Sequence, residues 1–235
     1  RGWADRLATL LALSGPERRP FRYANLAVRS RRVAHLVEEQ LPHCLELRPD
    51  LVSVLIGAND LVQVRCDPVA LAAQVEDAVA RLRGAGCDVL LGTVFLPDRA
   101  AAGVFARRFA VYNALLRQVA VRTGAILLDL EAQTELSRVE LWADDRVHLR
   151  SRGHRYVAYR AAEALGVPHA EALADLDDAF HVDEDLPAPG TWWRRDALPW
   201  LWRRVRGRTA GDGLTAKVPA YVVVGRPTGR SDVHR

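Results

Sequence analysis

Apolar residues at helical spacing run through 3–13 (WADRLATLLAL) and stop at Ser14-Gly15-Pro16, which predicts an opening helix. Residues 21–28 read as a strand, and 31–47 as a helix with Val33, Leu36, Val37 and Leu41 on one side. The run 51–56 (LVSVLI) follows Pro49-Asp50 and has no polar alternation beyond Ser53, as expected of a parallel strand buried on both faces. Then come a helix over 68–82 with proline in its first turn, a strand over 89–94, a helix over 103–122, a short strand over 125–130, and a helix over 151–165 with Ser151 as its N-cap. Strands alternating with helices of this length predict a parallel sheet between two helical layers, a three-layer α/β/α domain over 1–167. Such folds open with a strand, whereas this chain opens with a helix. A strand ahead of that helix is therefore expected, and the chain contains no Met.

Past residue 167 the pattern lapses. Residues 168–190 form an acidic linker with Asp175, Asp177, Asp178, Asp183, Glu184 and Asp185, ending in Pro187-Ala188-Pro189-Gly190. The stretch 191–208 (TWWRRDALPWLWRRVRGR) holds Trp192, Trp193, Trp200 and Trp202 among its arginines. Leu198, Leu201, Trp202 and Val205 repeat at helical spacing there. That pattern suits either a helix packed on the core or one lying on an anionic membrane surface. Residues 209–235, rich in Gly, Pro and Arg, read as a disordered tail apart from a short apolar run at 221–224.

Composition narrows the classes. Hydrophobic residues make up 49% and charged residues 26% of 235, which suits one buried core with an appendage. No run of 18 uncharged apolar residues is long enough to span a bilayer, and the first residues lack the plan of a secretory signal. Cys44, Cys66 and Cys87 are odd in number and show no CxxC spacing, so neither a disulfide framework nor a zinc site is expected, and a cytoplasmic setting fits. The net charge of +4 comes almost wholly from arginine, Lys217 being the single lysine, and no nucleic-acid partner is expected from it.

Three loops carry candidate chemistry. Gly57-Ala58-Asn59-Asp60 follows 51–56 directly. Its glycine permits a sharp turn, and the Asn59 side chain offers an amide donor at the carboxyl edge of the sheet, where ligands sit in open parallel sheets. Such a donor can hold an oxyanion, although an Asn-Asp turn capping the next segment has the same composition. Asp145 and His148 stand three residues apart on a loop before the last helix, a spacing that lets a carboxylate orient an imidazole acting as base. A surface pair beside a helix start would look the same. Asn25-Leu26-Ala27-Val28-Arg29-Ser30 ends the 21–28 strand.

NLAVRS, IGAND and DDRVHLRSRGH, in that order and after the expected strands, resemble the blocks of the SGNH hydrolases, the GDSL-type lipase/esterase family. The resemblance covers roughly residues 1–167 and implies the flavodoxin-like three-layer fold. It implies Asn59 as the oxyanion asparagine, Asp145 and His148 as the catalytic pair, and the backbone N–H at Ser30 as a second oxyanion donor, with Gly57 and Asp60 shaping the site. It implies acyl transfer from small-molecule carboxyl esters to water through an acyl-enzyme, with no metal or organic cofactor. Two departures stand out. The family carries its nucleophile in a Gly-Asp-Ser block on the first strand, and none of Ser14, Ser30, Ser53, Ser137, Ser151 and Ser231 lies in such a block or in a GxSxG elbow. Ser30 also stands where the family has glycine. Ser30 could itself be the nucleophile, but its place in the family plan supplies a donor. Without a serine the alternative is an inactive SGNH-like binding or membrane-associated module. Neither the specific ester nor the oligomeric state follows from the residues.

Overall fold

The computed structural model describes residues 1–16, 20–96, 100–143, 147–173, 211 and 213–225. Residues 174–190 of the expected linker and all of 191–208 lie outside the described residues. Helix α1 (Trp3–Ser14) precedes strand β1 (Arg22–Asn25). Helix α2 (Val33–His35) passes through a π turn (Leu36–Gln40) into α3 (Leu41–Leu47). Strand β2 (Leu51–Val54) is followed by the short α4 (Ala58–Leu61) and by α5 (Pro68–Gly84). Strand β3 (Asp88–Gly92), helix α6 (Ala106–Thr123), strand β4 (Ile126–Leu128) and helix α7 (Ser151–Ala164) complete the main unit. Strand β5 (Val218–Val223) lies far along the chain.

β2, β3 and β4 form a parallel sheet in that order, with Leu51 opposite Asp88 and Leu90 opposite Ile126. Alternation along β3 assigns its two faces to two cores. Val89 and Leu91 pack with Val75, Val79, Tyr112 and Leu116 of α5 and α6, while Leu90 packs with Leu7, Leu10, Val157 and Ala161 of α1 and α7. This is the expected three-layer arrangement. Local chemistry sets the element ends. Asp67 caps α5 by accepting from the backbone N–H of Val69 at 2.9 Å, and Gly124 closes α6 at φ 67°.

Four expectations need correction. The helix expected over 31–47 is interrupted: Pro42 has no N–H to donate and its ring crowds the carbonyl four residues back, and the chain widens into the π turn, where the Leu41 N–H bonds to the Leu36 carbonyl. The strand expected over 21–28 is not hydrogen-bonded into the parallel sheet. β1 instead pairs antiparallel with β5, Arg22 opposite Val223 and Asn25 opposite Val218. β5 takes in most of the apolar run at 221–224 that was set apart from the expected disordered tail, and extends the ordered stretch back to Val218. The packed core runs past 167, since Ala170 is buried and Leu173 packs beside it.

β2 departs from expectation in burial. Only Val54 of its four residues is buried and Ser53 is exposed, whereas four of the five residues of β3 are buried. Among the described residues, no strand is hydrogen-bonded to the edge of β2 away from β3. A cavity of about 1070 Å³ is lined by both β1 and β2, by Leu7 and Leu11 of α1 and by Leu41 and Cys44 of α3. A strand residue in a layered sheet occupies roughly 160 Å³, from a rise of about 3.3 Å, a strand spacing of about 4.8 Å and a layer spacing of about 10 Å. The cavity therefore has room for an extended segment of about seven residues.

Candidate active site

The β2–α4 turn is built around Gly57, whose φ of 110° belongs to glycine. A Cβ there would fall 2.5 Å from the Tyr112 hydroxyl oxygen. That hydroxyl donates to the Ile56 carbonyl at 3.1 Å, so a residue of α6 fixes the turn from below. Asn59 is exposed, and its Nδ2 donates to the Arg31 carbonyl at 3.0 Å, which ties this turn to the loop leaving β1. An amide nitrogen carries two N–H groups, so one bond to Arg31 leaves a second to offer. Asp60 turns away from that side. Its Oδ2 accepts from the backbone N–H of Val33 at 3.2 Å, capping the start of α2, and burial pushes its carboxyl above the usual range. Asp60 thus caps the earlier helix α2 and not the segment after the turn, while Asn59 lines the cavity.

Ser30 adopts φ 63°, in the left-handed region that non-glycine residues seldom enter. Glycine adopts this conformation freely, whereas serine occupies it at a cost of about 1–2 kcal/mol. Both Ser30 and Asn59 line the large cavity, together with Val28 and Ile56. They follow the carboxyl ends of β1 and β2. A smaller cavity of about 140 Å³ adjoins Asn59, walled by Leu55, Ile56, Ala58, Val94 and Phe95.

His148 is exposed on a hairpin closed by two backbone bonds, from Ala143 N–H to the His148 carbonyl and from Arg150 N–H to the Leu141 carbonyl, both 2.8 Å. Trp142 and Leu149 form an antiparallel bridge within it. Trp142 is buried, donates its indole N–H to the Leu136 carbonyl at 2.7 Å, and meets Phe95 edge-on with ring centroids 5.0 Å apart. Phe95 also walls the small cavity beside Asn59, so a continuous run of contacts joins the Asn59 turn to the His148 hairpin. Gly153 packs against the Leu141 carbonyl, where a Cβ would overlap it, bringing α7 close beneath the hairpin. Asp145 lies outside the described residues.

Several contributors gave no signal in sequence. Arg6 is 1% exposed and donates from Nη2 to the Ser151 hydroxyl at 2.7 Å, tying α1 to the first residue of α7. Nothing in an amphipathic helix pattern marks an arginine as buried. Next to it, Asp5 accepts from the Tyr23 hydroxyl at 3.0 Å, Tyr23 accepts from Asn25 at 2.9 Å, and Asn25 accepts from the Ala27 N–H at 3.0 Å. Burial alone would raise the Asp5 carboxyl, but bonds from Lys217 and Tyr23 outweigh it and hold it below the usual range. Adjacent residues of α1 thus brace the two candidate loops, Asp5 that of Ser30 and Arg6 that of His148. His154 is mostly buried, its Nδ1 has no hydrogen-bond partner among the described residues, and burial, aided by the charges of the N-terminal amine and Arg6, lowers its pKa to about 4. Among the described residues no group of three or more His, Cys, Asp or Glu is placed to hold a metal ion, and no helix is long and apolar enough to cross a membrane.

No curated protein sequence matches the chain. Solved structures share its fold. LAE5, an alpha/beta hydrolase enzyme from the metagenome of Lake Arreo in Spain, is 24% identical with a TM-score of 0.56, over 71% of this chain and 82% of its own. Axe2, an acetylxylan esterase from Geobacillus stearothermophilus, is 20% identical with a TM-score of 0.58, over 71% and 81%. TesA is 21% identical with a TM-score of 0.60, over 70% and 87%. The GDSL-like lipase/acylhydrolase family model matches residues 1–156, a stretch that includes the Ser30, Asn59 and His148 loops, and the chain belongs to that family.

Proposed function

We propose that this chain is the body of a serine esterase acting on small-molecule carboxyl esters, and that its nucleophile arrives on an extended segment seated between β1 and β2. The observation that carries this reading is the strand-sized cavity lined by those two strands and by Ser30 and Asn59. A parallel strand placed there satisfies the free edge of β2 and ends beside both residues. A serine at that end attacks the ester carbonyl while His148 takes its proton and Asp145 orients the imidazole. The Ser30 backbone N–H and the Asn59 amide hold the oxyanion. His148 then protonates the leaving alkoxide, and water repeats the cycle on the acyl-enzyme. Gly57 fixes the direction of the Asn59 turn and Asp60 anchors it to α2. The small apolar cavity beside Asn59 suits a short acyl group.

A second reading follows from the six serines, none of which lies in a Gly-Asp-Ser block: the 235 residues alone bind esters without turning them over. The two readings separate in one assay. With a Gly-Asp-Ser strand joined ahead of Arg1, hydrolysis of 4-nitrophenyl acetate is expected, falling about 100-fold or more on Asn59→Ala through loss of an oxyanion donor. No turnover with that strand in place would leave the binding reading.

A further inference from the structure

The segment from Gly211 through β5 lies beyond the stretch matched by the family, yet it is built onto the candidate site. β5 runs antiparallel along β1, the strand whose far end leads into the Ser30 loop. Lys217, the single lysine of the chain, pairs with Asp5, the residue that also holds Tyr23. The Pro219 carbonyl bonds to a ring nitrogen of His43 on α3 at 2.7 Å, so β5 is tied to elements of both helical layers. At the upstream end Gly211 is buried against the carbonyl of Arg29, the residue before Ser30, so closely that an added Cβ would overlap the carbonyl oxygen.

We propose that this segment positions the Ser30 loop, with Gly211 as the positioning residue. Other restraints on the loop among the described residues come from single bonds and from the Arg31–Glu39 ion pair at 3.2 Å. Gln40 donates to the Leu26 carbonyl at 2.7 Å, Asn25 accepts from Ala27, and Asn59 holds Arg31. Between these contacts Ser30 is kept at a φ that serine does not favour, and a strained conformation persists only where its surroundings over-determine it. Backbone packing at the preceding residue supplies such a surrounding. Glycine is required at 211 because a side chain would push Arg29 and, with it, the Ser30 amide. The meaning of this for catalysis rests on Ser30 serving as an oxyanion donor, but the positioning itself is measurable without any turnover.

The test is the amide spectrum and hydrogen exchange of the full 235-residue chain carrying Gly211→Val, beside Gly211→Ala as a milder variant that adds only the Cβ that meets the Arg29 carbonyl. The Ser30 amide resonance is expected to move, and exchange across 26–31 to quicken by about tenfold or more, while the amides of β3 keep their protection. Should Gly211→Val unfold the whole chain, Gly211→Ala decides by the same readout with a smaller change. An unmoved Ser30 resonance with unchanged exchange at 26–31, in whichever variant stays folded, would overturn the proposal. Ester hydrolysis enters neither outcome, so failure here is distinct from failure of the esterase reading.

Discussion

The Tyr112 ring lies directly against Gly57, its hydroxyl bonded to the carbonyl of the preceding Ile56. A residue of α6 thereby sets the conformation of a turn on another element, and no side chain fits between the two. Gly57→Ala is expected to destabilise the chain by roughly 2–5 kcal/mol, combining left-handed strain with steric overlap. Tyr112→Phe, which removes only the hydroxyl bond, is expected to cost about 1 kcal/mol. Urea denaturation of the two variants checks the ordering.

Asn113 is fully buried and serves both backbone groups of Val94, accepting from its N–H at 2.9 Å and donating to its carbonyl at 2.7 Å. Val94 walls the small cavity beside Asn59. Asn113→Leu leaves two buried backbone groups unpaired, at roughly 2–4 kcal/mol in total. Asn113→Asp keeps an acceptor for the N–H but loses the donor. Melting curves should rank wild type above both variants.

Ser30→Gly separates two roles of one residue. Relief of the left-handed strain gains about 1–2 kcal/mol, and the added freedom of glycine in the unfolded chain returns about 0.5–1 kcal/mol of it. The variant is therefore expected to be as stable as wild type or slightly more so, and in the strand-completed enzyme to keep its turnover, because only the backbone N–H is used. Loss of turnover in Ser30→Gly would assign chemistry to the hydroxyl.

Burial disfavours the His154 imidazolium and, with the charges of the N-terminal amine and Arg6, lowers its pKa from 6.5 to about 4. The unfolded chain takes up this proton first as pH falls through 6.5. Stability contributed by the neutral buried ring is therefore present above that pH and is lost between it and about 4, on the order of 3 kcal/mol in all. Asp60 acts in the opposite direction, since its raised pKa makes protonation favour the folded state in acid. His154→Phe should flatten the fall in melting temperature between pH 6.5 and 4, and a proton-detected titration of the His154 ring should show its midpoint near 4 in wild type.

Periodicity was a sufficient guide to α1, α5, α6 and α7 because each buries one face against the sheet, and 51–56 and 89–94 were legible as strands from their apolar runs. The IGAND and DRVHL blocks singled out Asn59 and His148 as candidates, since an amide donor and an imidazole base are residue types such chemistry requires. What sequence did not carry was long-range. The pairing of β1 with a strand nearly 200 residues later joins two short segments with no shared pattern. Arg6, Asp5 and Gly211 act through contacts that only the folded chain creates. The π turn before α3 follows from Pro42, a signal that was present in 31–47 and outweighed there by the apolar spacing.

The most direct test of the central claim is where a serine-reactive fluorophosphonate attaches, read by peptide mass mapping of the 235-residue chain and of the same chain with a Gly-Asp-Ser strand ahead of Arg1. The account predicts an adduct on the strand serine of the completed protein, abolished by His148→Ala, and none on Ser30 in either protein. An adduct on Ser30 of the 235-residue chain would contradict it, placing the nucleophile at the end of β1 and leaving the cavity between β1 and β2 without the role assigned to it.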